Sequence, residues 1–185
     1  TAVYDIADVF SGNCEPIRAI YPSPVCSGVF VAPAPVSLEQ LCAPEDMRLL
    51  CRGFSRYYDD VLVDCPAGVG QGFQTAVAGA EAAFVVTTPD MVCARDAQIV
   101  SRLLADRQIP ARLVINRLRA LPVMRGRMPD VDEIIDIAGL QLIGILPEDE
   151  AVAVANANGR PLPADCNAAL CFENIARRYL GEDTP

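Results

Sequence analysis

Several short apolar runs in this sequence end directly on polar side chains that could handle a nucleotide or a metal. Val61–Val63 is followed by Asp64 and then by a Cys65-Pro66-Ala67-Gly68 loop. Ala83–Val86 is followed by Thr87, Thr88, Pro89 and Asp90, Leu113–Ile115 by Asn116, and Leu142–Leu146 by Pro147, Glu148 and Asp149. A carboxylate held rigidly at a strand end, as Asp64 would be, can orient water on Mg²⁺ beside phosphates. The glycine at Gly68 would let a backbone N–H approach a terminal phosphate. Each of these acids also has a plainer use, bonding turn amides or capping the next helix. Four polar ends gathered along one rim point to a nucleotide crevice, because ligands of open α/β sheets bind beyond the carboxyl ends of the strands.

The elements that must position these residues follow from periodicity. Val29–Ala32, Val61–Val63, Ala83–Val86, Leu113–Ile115 and Leu142–Leu146 are nearly continuous in Val, Ile, Leu and other apolar residues, as strands buried on both faces should be. Between them lie amphipathic stretches. Met47, Leu50, Cys51 and Phe54 share one helical face, with Pro44 suited to the first turn. Asp130 and Glu133 have capping-box spacing, Val131, Ile134, Ile135 and Ala138 form the stripe behind them, and Gly139 is a stop. Ala169, Phe172, Ala176 and Tyr179 are the expected buried side of the last helix. The Pro-rich pieces YPSPVCSG and APAPVSLEQ read as loops. Strand–helix alternation at this spacing predicts a three-layer α/β domain, residues 1–185, with a mainly parallel sheet and helices on both faces.

Composition narrows the chemistry. The 24 acids against 15 bases give a net charge of −9, which argues against a nucleic-acid groove. Every base is arginine, and there is neither lysine nor histidine. That removes His-based triads, imidazole bases, His-bearing zinc sites, Schiff bases and a phosphate-gripping lysine. The 8 cysteines form no C-x-x-C pair and read as small thiols in a reducing compartment. No apolar run approaches the roughly 20 residues needed to cross a bilayer, so a cytoplasmic setting is expected.

The blocks YDDVLVDCPAGVGQGFQTAV, VVTTPDMVCARDAQIV, LVINRLR and LIGILPEDEAVAVANANGRPL resemble, in order, successive blocks of the MinD family of septum-site-determining ATPases. That family belongs to the deviant-Walker P-loop ATPases, with the ParA-type partitioning ATPases as relatives. The resemblance implies a P-loop NTPase-like fold, ATP and Mg²⁺ as cofactors, and ATP hydrolysis in the service of division-site selection. It makes Asp64 the Walker B acid near Mg²⁺, acting through water, and Gly68 the switch glycine near the γ-phosphate. Asn116 becomes the reader of adenine, and Pro147, Glu148 and Asp149 the loop framing the base. Arg95 and Asp96 match a helix start used for dimer and partner contacts; a plain surface ion pair is the alternative there. The implied partners are a second copy in the ATP state, a MinC-type septum inhibitor and a topological regulator. The implied location is the cytoplasm and, through a C-terminal helix, the inner face of the cell membrane.

There are departures from the family pattern. No G-K-[ST] phosphate loop and no lysine occur, the second strand with its acidic switch is unmatched, and the chain stops at GEDTP. Cys65 replaces the usual Ser or Thr, and Gln98 stands where an acid is common. The expectation is a fragment lacking the N-terminal phosphate loop and the C-terminal membrane helix, inactive in hydrolysis by itself. Such a fragment should expose unpaired strand edges and associate through them. The rival readings are a ParA-type relative and a non-catalytic interaction module that keeps the Arg95–Asp96 surface.

Overall fold

Val85 and Thr87 are buried while Phe84 and Val86, between and beside them, are 41% and 59% exposed, the alternation of a strand with unlike faces. This strand, β3 (Ala83–Thr87), pairs in parallel with β4 (Ala111–Leu118), and β4 pairs in parallel with β5 (Leu142–Pro147). Val85 sits level with Leu113, Thr87 with Ile115, and Val114 with Gly144. The computed structural model describes residues 3–35, 43–182 and 184, in two units, Thr1–Ala80 and Glu81–Pro185. The parallel sheet belongs to the second unit.

In that unit α4 (Met91–Ala105) buries Ala94, Ala97 and Leu104 and lies on β3, and α6 (Val131–Ala138) packs against α4. Leu113, Ile115 and Ile134 are fully buried. The predicted capping box of α6 is present: Asp130 Oδ1 accepts from Glu133 N–H at 2.9 Å and Glu133 Oε2 from Asp130 N–H at 3.1 Å. Gly139, in the left-handed conformation, ends the helix. The other face of the sheet carries α8 (Asn167–Tyr179), whose Cys171 and Ile175 pack on Val114, Ile143 and Leu146. Two shorter helices, α5 (Ala120–Met124) and α7 (Glu150–Asn158), follow β4 and β5. The chain is therefore α/β, with a parallel sheet flanked by helices.

The buried side of α8 differs from the expected one. Phe172 and Tyr179 are 49% and 50% exposed, Ala168 is buried, and Cys171 and Ile175 make the contact. Gly144 explains the difference. A Cβ there would lie 2.3 Å from Ile175 Cγ1, so the missing side chain on β5 is the notch that draws the 168/171/175 stripe inward. Tyr179 meets Phe84 edge-on at 5.7 Å.

The first unit holds α1 (Ile6–Phe10), a 3₁₀ turn at Pro16–Ala19, β1 (Tyr21–Pro22), β2 (Phe30–Val31), α2 (Pro44–Phe54) and α3 (Gln71–Val77). The expected strand at Val29–Ala32 shrinks to β2, which pairs antiparallel with β1 rather than joining a parallel sheet. Prolines at 22, 24, 33 and 35 remove the amide donors that a longer ladder would need. Part of YPSPVCSG, read as loop, supplies β1. The expected strand at Val61–Val63 is not formed, and Leu62 is 84% exposed. A strand needs a neighbour, and among the described residues none pairs with it. Leu50 and Cys51 are buried on the expected face of α2, with Met47 and Phe54 half-buried. Seven cysteines are free thiols; Cys42 and residues 36–40 of the second Pro-rich piece lie outside the described residues.

Candidate functional site

β4 loses its regular register with β5 between Ile115 and Leu118, and at this irregularity Arg117 adopts φ +60°. For a residue with a long side chain that conformation costs about 1–3 kcal/mol, and such bulges re-aim side chains. Asn116, the residue just before, is half-buried, and its amide makes no hydrogen bond among the described residues. β3 ends at Thr87, level with Ile115, so the chain after β3 leaves the sheet beside Asn116.

The end of β5 lies on the other side of the same strand. Leu118 is level with Pro147, and Glu148 N–H donates to Leu118 O at 3.0 Å. The Glu148 carboxylate is held by two guanidinium groups: Arg117 Nη2 at 3.3 Å from Oε1 and Arg119 Nε at 3.1 Å from Oε2. An exposed ion pair returns roughly 0.2–1 kcal/mol, so neither bridge alone offsets the strain at Arg117. Asp149 next to it caps α7 by accepting from Ala151 N–H at 2.9 Å, and its other oxygen accepts from Ala168 N–H at 3.1 Å in the first turn of α8. The Ala151 amide first, and then the Ala168 amide, hold this carboxyl below the usual Asp range. Asn116, Pro147, Glu148 and Asp149 are thus brought to one edge of the sheet.

Asp90 has the plainer role weighed for it. It caps α4, accepting from Cys93 N–H at 2.9 Å and Val92 N–H at 3.1 Å, and also accepts from the Thr88 hydroxyl at 2.6 Å. The Cys93 amide and then the Thr88 hydroxyl lower its pKa to about 2. Arg95 and Asp96, further along α4, are exposed and enter no ion pair among the described residues, so the pairing weighed for them is not made.

In the first unit Asp64 is exposed, directly after the Val61–Val63 segment. Gly68 has φ +85°, a left-handed backbone shape that other residues rarely adopt. Among the described residues no three acids or thiols converge as a metal cage. A lone acid that holds Mg²⁺ through water beside phosphates needs no such cage, so Asp64 fits the ion in that manner only. Among the described residues no helix is long and apolar enough to cross a membrane.

Sequence reasoning passed over Arg117 and Arg119. The signal was present: in the quoted block LVINRLR the arginines sit two apart, on one side of a strand, directly behind Asn116.

A parallel sheet covered by helices on both faces, with its polar residues collected at the strand ends, is the architecture of the MinD/ParA type of P-loop NTPase. No protein-family model matches the chain. The septum site-determining protein MinD of Bacillus subtilis is 35% identical over 189 residues, covering 99% of this chain and 70% of that protein. The MinC:MinD cell division protein complex of Aquifex aeolicus superposes with a TM-score of 0.90 at 31% identity, covering 99% of this chain and 75% of that one. MinD of Pyrococcus horikoshii, solved with Mg-ADP, shares the fold at a TM-score of 0.83 and 23% identity, covering 95% of this chain and 73% of that one. The chain belongs to the MinD family of septum site-determining cell-division proteins.

Proposed function

We propose that these 185 residues are a partial MinD-type ATPase domain that binds Mg-ATP to control its own pairing and its recruitment of a septum inhibitor. In this reading Asn116 takes the adenine edge, since an amide carries both the donor and the acceptor that adenine requires. Pro147, Glu148 and Asp149 frame the base. Asp64 orients water on Mg²⁺, and the Gly68 amide approaches the γ-phosphate. Mg²⁺ when bound neutralises phosphate charge; the chain's own residues bind, orient and sense. The ATP-state homodimer, the MinC-type inhibitor and a topological regulator engage the α4 surface at Arg95 and Asp96. The protein works in the cytoplasm and peripherally on the inner face of the cell membrane. The 185 residues hold no lysine, so by themselves they turn over ATP very slowly if at all.

The observation that carries this reading is the half-buried Asn116 amide, without a hydrogen-bond partner among the described residues, beside the end of β5. Adenine-nucleotide binding by related MinD is consistent with it. The test is a ¹⁵N-NMR titration with Mg-ADP and Mg-GDP. ADP is expected to shift Asn116, Glu148 and their neighbours at lower concentration than GDP, and Asn116→Ala to abolish that preference. No response to ADP would turn the assignment toward an interaction module without a nucleotide, and an equal response to GDP would overturn the adenine role of Asn116.

A further inference from the structure

The end of β5 is fastened to β4 at three points within one residue. Glu148 N–H bonds Leu118 O, and the two carboxylate oxygens of Glu148 engage the residues on either side of Leu118, one oxygen to each arginine. Arg117 and Leu118 of β4 and Arg119 just beyond it are consecutive and directly follow Asn116. Arg117 makes its contact from a left-handed backbone at the bulge. Asp149 is likewise spoken for, both oxygens on backbone amides. Both acids of the Pro147–Asp149 segment are therefore engaged in holding the segment, whereas the Asn116 amide has no hydrogen-bond partner among the described residues.

We infer that Arg117 and Arg119 are positioning residues, which clamp Glu148 so that the Pro147–Asp149 segment is already in place beside Asn116 when a purine base arrives. The inference rests on the adenine reading of this site and adds a cause for its selectivity. Pre-setting the segment removes the ordering cost that binding would otherwise carry. It also fixes which edge of the base faces Asn116, so the clamp acts on discrimination between bases as well as on affinity.

The test uses the full chain and four variants: Arg119→Gln, Glu148→Gln, Arg117→Gly and the charge-reversed pair Arg119→Glu with Glu148→Arg. With Mg-ADP and Mg-GDP as probes, loss of one bridge should weaken ADP binding about two- to fivefold, and loss of both in Glu148→Gln about tenfold. The ADP-over-GDP ratio should fall alongside. The reversed pair should recover part of the loss, and 1 M salt should weaken ADP binding more in the parent chain than in Glu148→Gln, because exposed pairs are screened. Arg117→Gly relieves the left-handed strain, so its thermal midpoint should hold or rise while its base selectivity drops, which separates positioning from folding. Without any ligand, amide exchange at Glu148 and Asp149 should speed up in the clamp variants. Unchanged exchange, or ADP-over-GDP ratios equal to the parent's, would overturn the inference alone. Absence of ADP binding in the parent chain would overturn the reading of the site itself.

Discussion

Asp90 and Asp149 sit where a short acid can cap the helix that follows, and both do so. The arginine pair of LVINRLR is visible in the sequence but its partner is not, because the acid of Arg117 and Arg119 lies about thirty residues onward and is reached through a bulge that no local pattern announces. The Asp90 cap makes a pH prediction. Its folded pKa of about 2 lies below the ordinary value of 3.8, so in that interval the unfolded chain binds more protons. The cap's stabilisation is therefore complete above about pH 4 and is lost as pH falls through about 2. Asp90→Ala should lower stability by about 1 kcal/mol at neutral pH. Urea melts of both proteins from pH 2 to 6 should converge at the acid end; a constant gap across that range would count against the cap.

Elements were read well where one strand or helix carries its own signal. β3, β4 and β5 were expected at Ala83–Val86, Leu113–Ile115 and Leu142–Leu146, and lie at Ala83–Thr87, Ala111–Leu118 and Leu142–Pro147. The capping box and glycine stop of α6 were equally plain. The face of α8 was misjudged because two stripes one residue apart are both apolar, and only the notch at Gly144 chooses between them. That choice predicts a coupled pair. Gly144→Ala should destabilise by about 1–3 kcal/mol through overpacking on Ile175. Ile175→Val should cost about 1 kcal/mol alone, and the double variant should be more stable than the sum. Additive losses in a chemical-denaturation cycle would mean that α8 does not seat through this contact.

On the scale of the whole molecule the sequence was least informative, since a strand exists only by virtue of its neighbours. Val29–Ala32 and Val61–Val63 have strand composition, yet one became a two-residue antiparallel pair and the other stays unpaired among the described residues. Neither outcome depends on the residues within the run. The same dependence leaves β3 at an edge of the parallel sheet among the described residues, with Phe84 and Val86 part-exposed on one of its faces. An edge strand flanked by exposed apolar side chains invites pairing with another chain. The protein should therefore self-associate as its concentration rises, and Val86→Lys should shift it toward monomer in sedimentation velocity runs. A parent chain that stays monomeric into the millimolar range would contradict this.

Asp149 serves two masters with one side chain. Its oxygens close the first turns of α7 and α8, whose bonded amides are 17 positions apart. Whatever withdraws that carboxylate, a proton or a rival donor, withdraws it from both at once. The Pro147–Asp149 segment and the final helix are thus tied through a single shared acceptor, and the two caps stand or fall together.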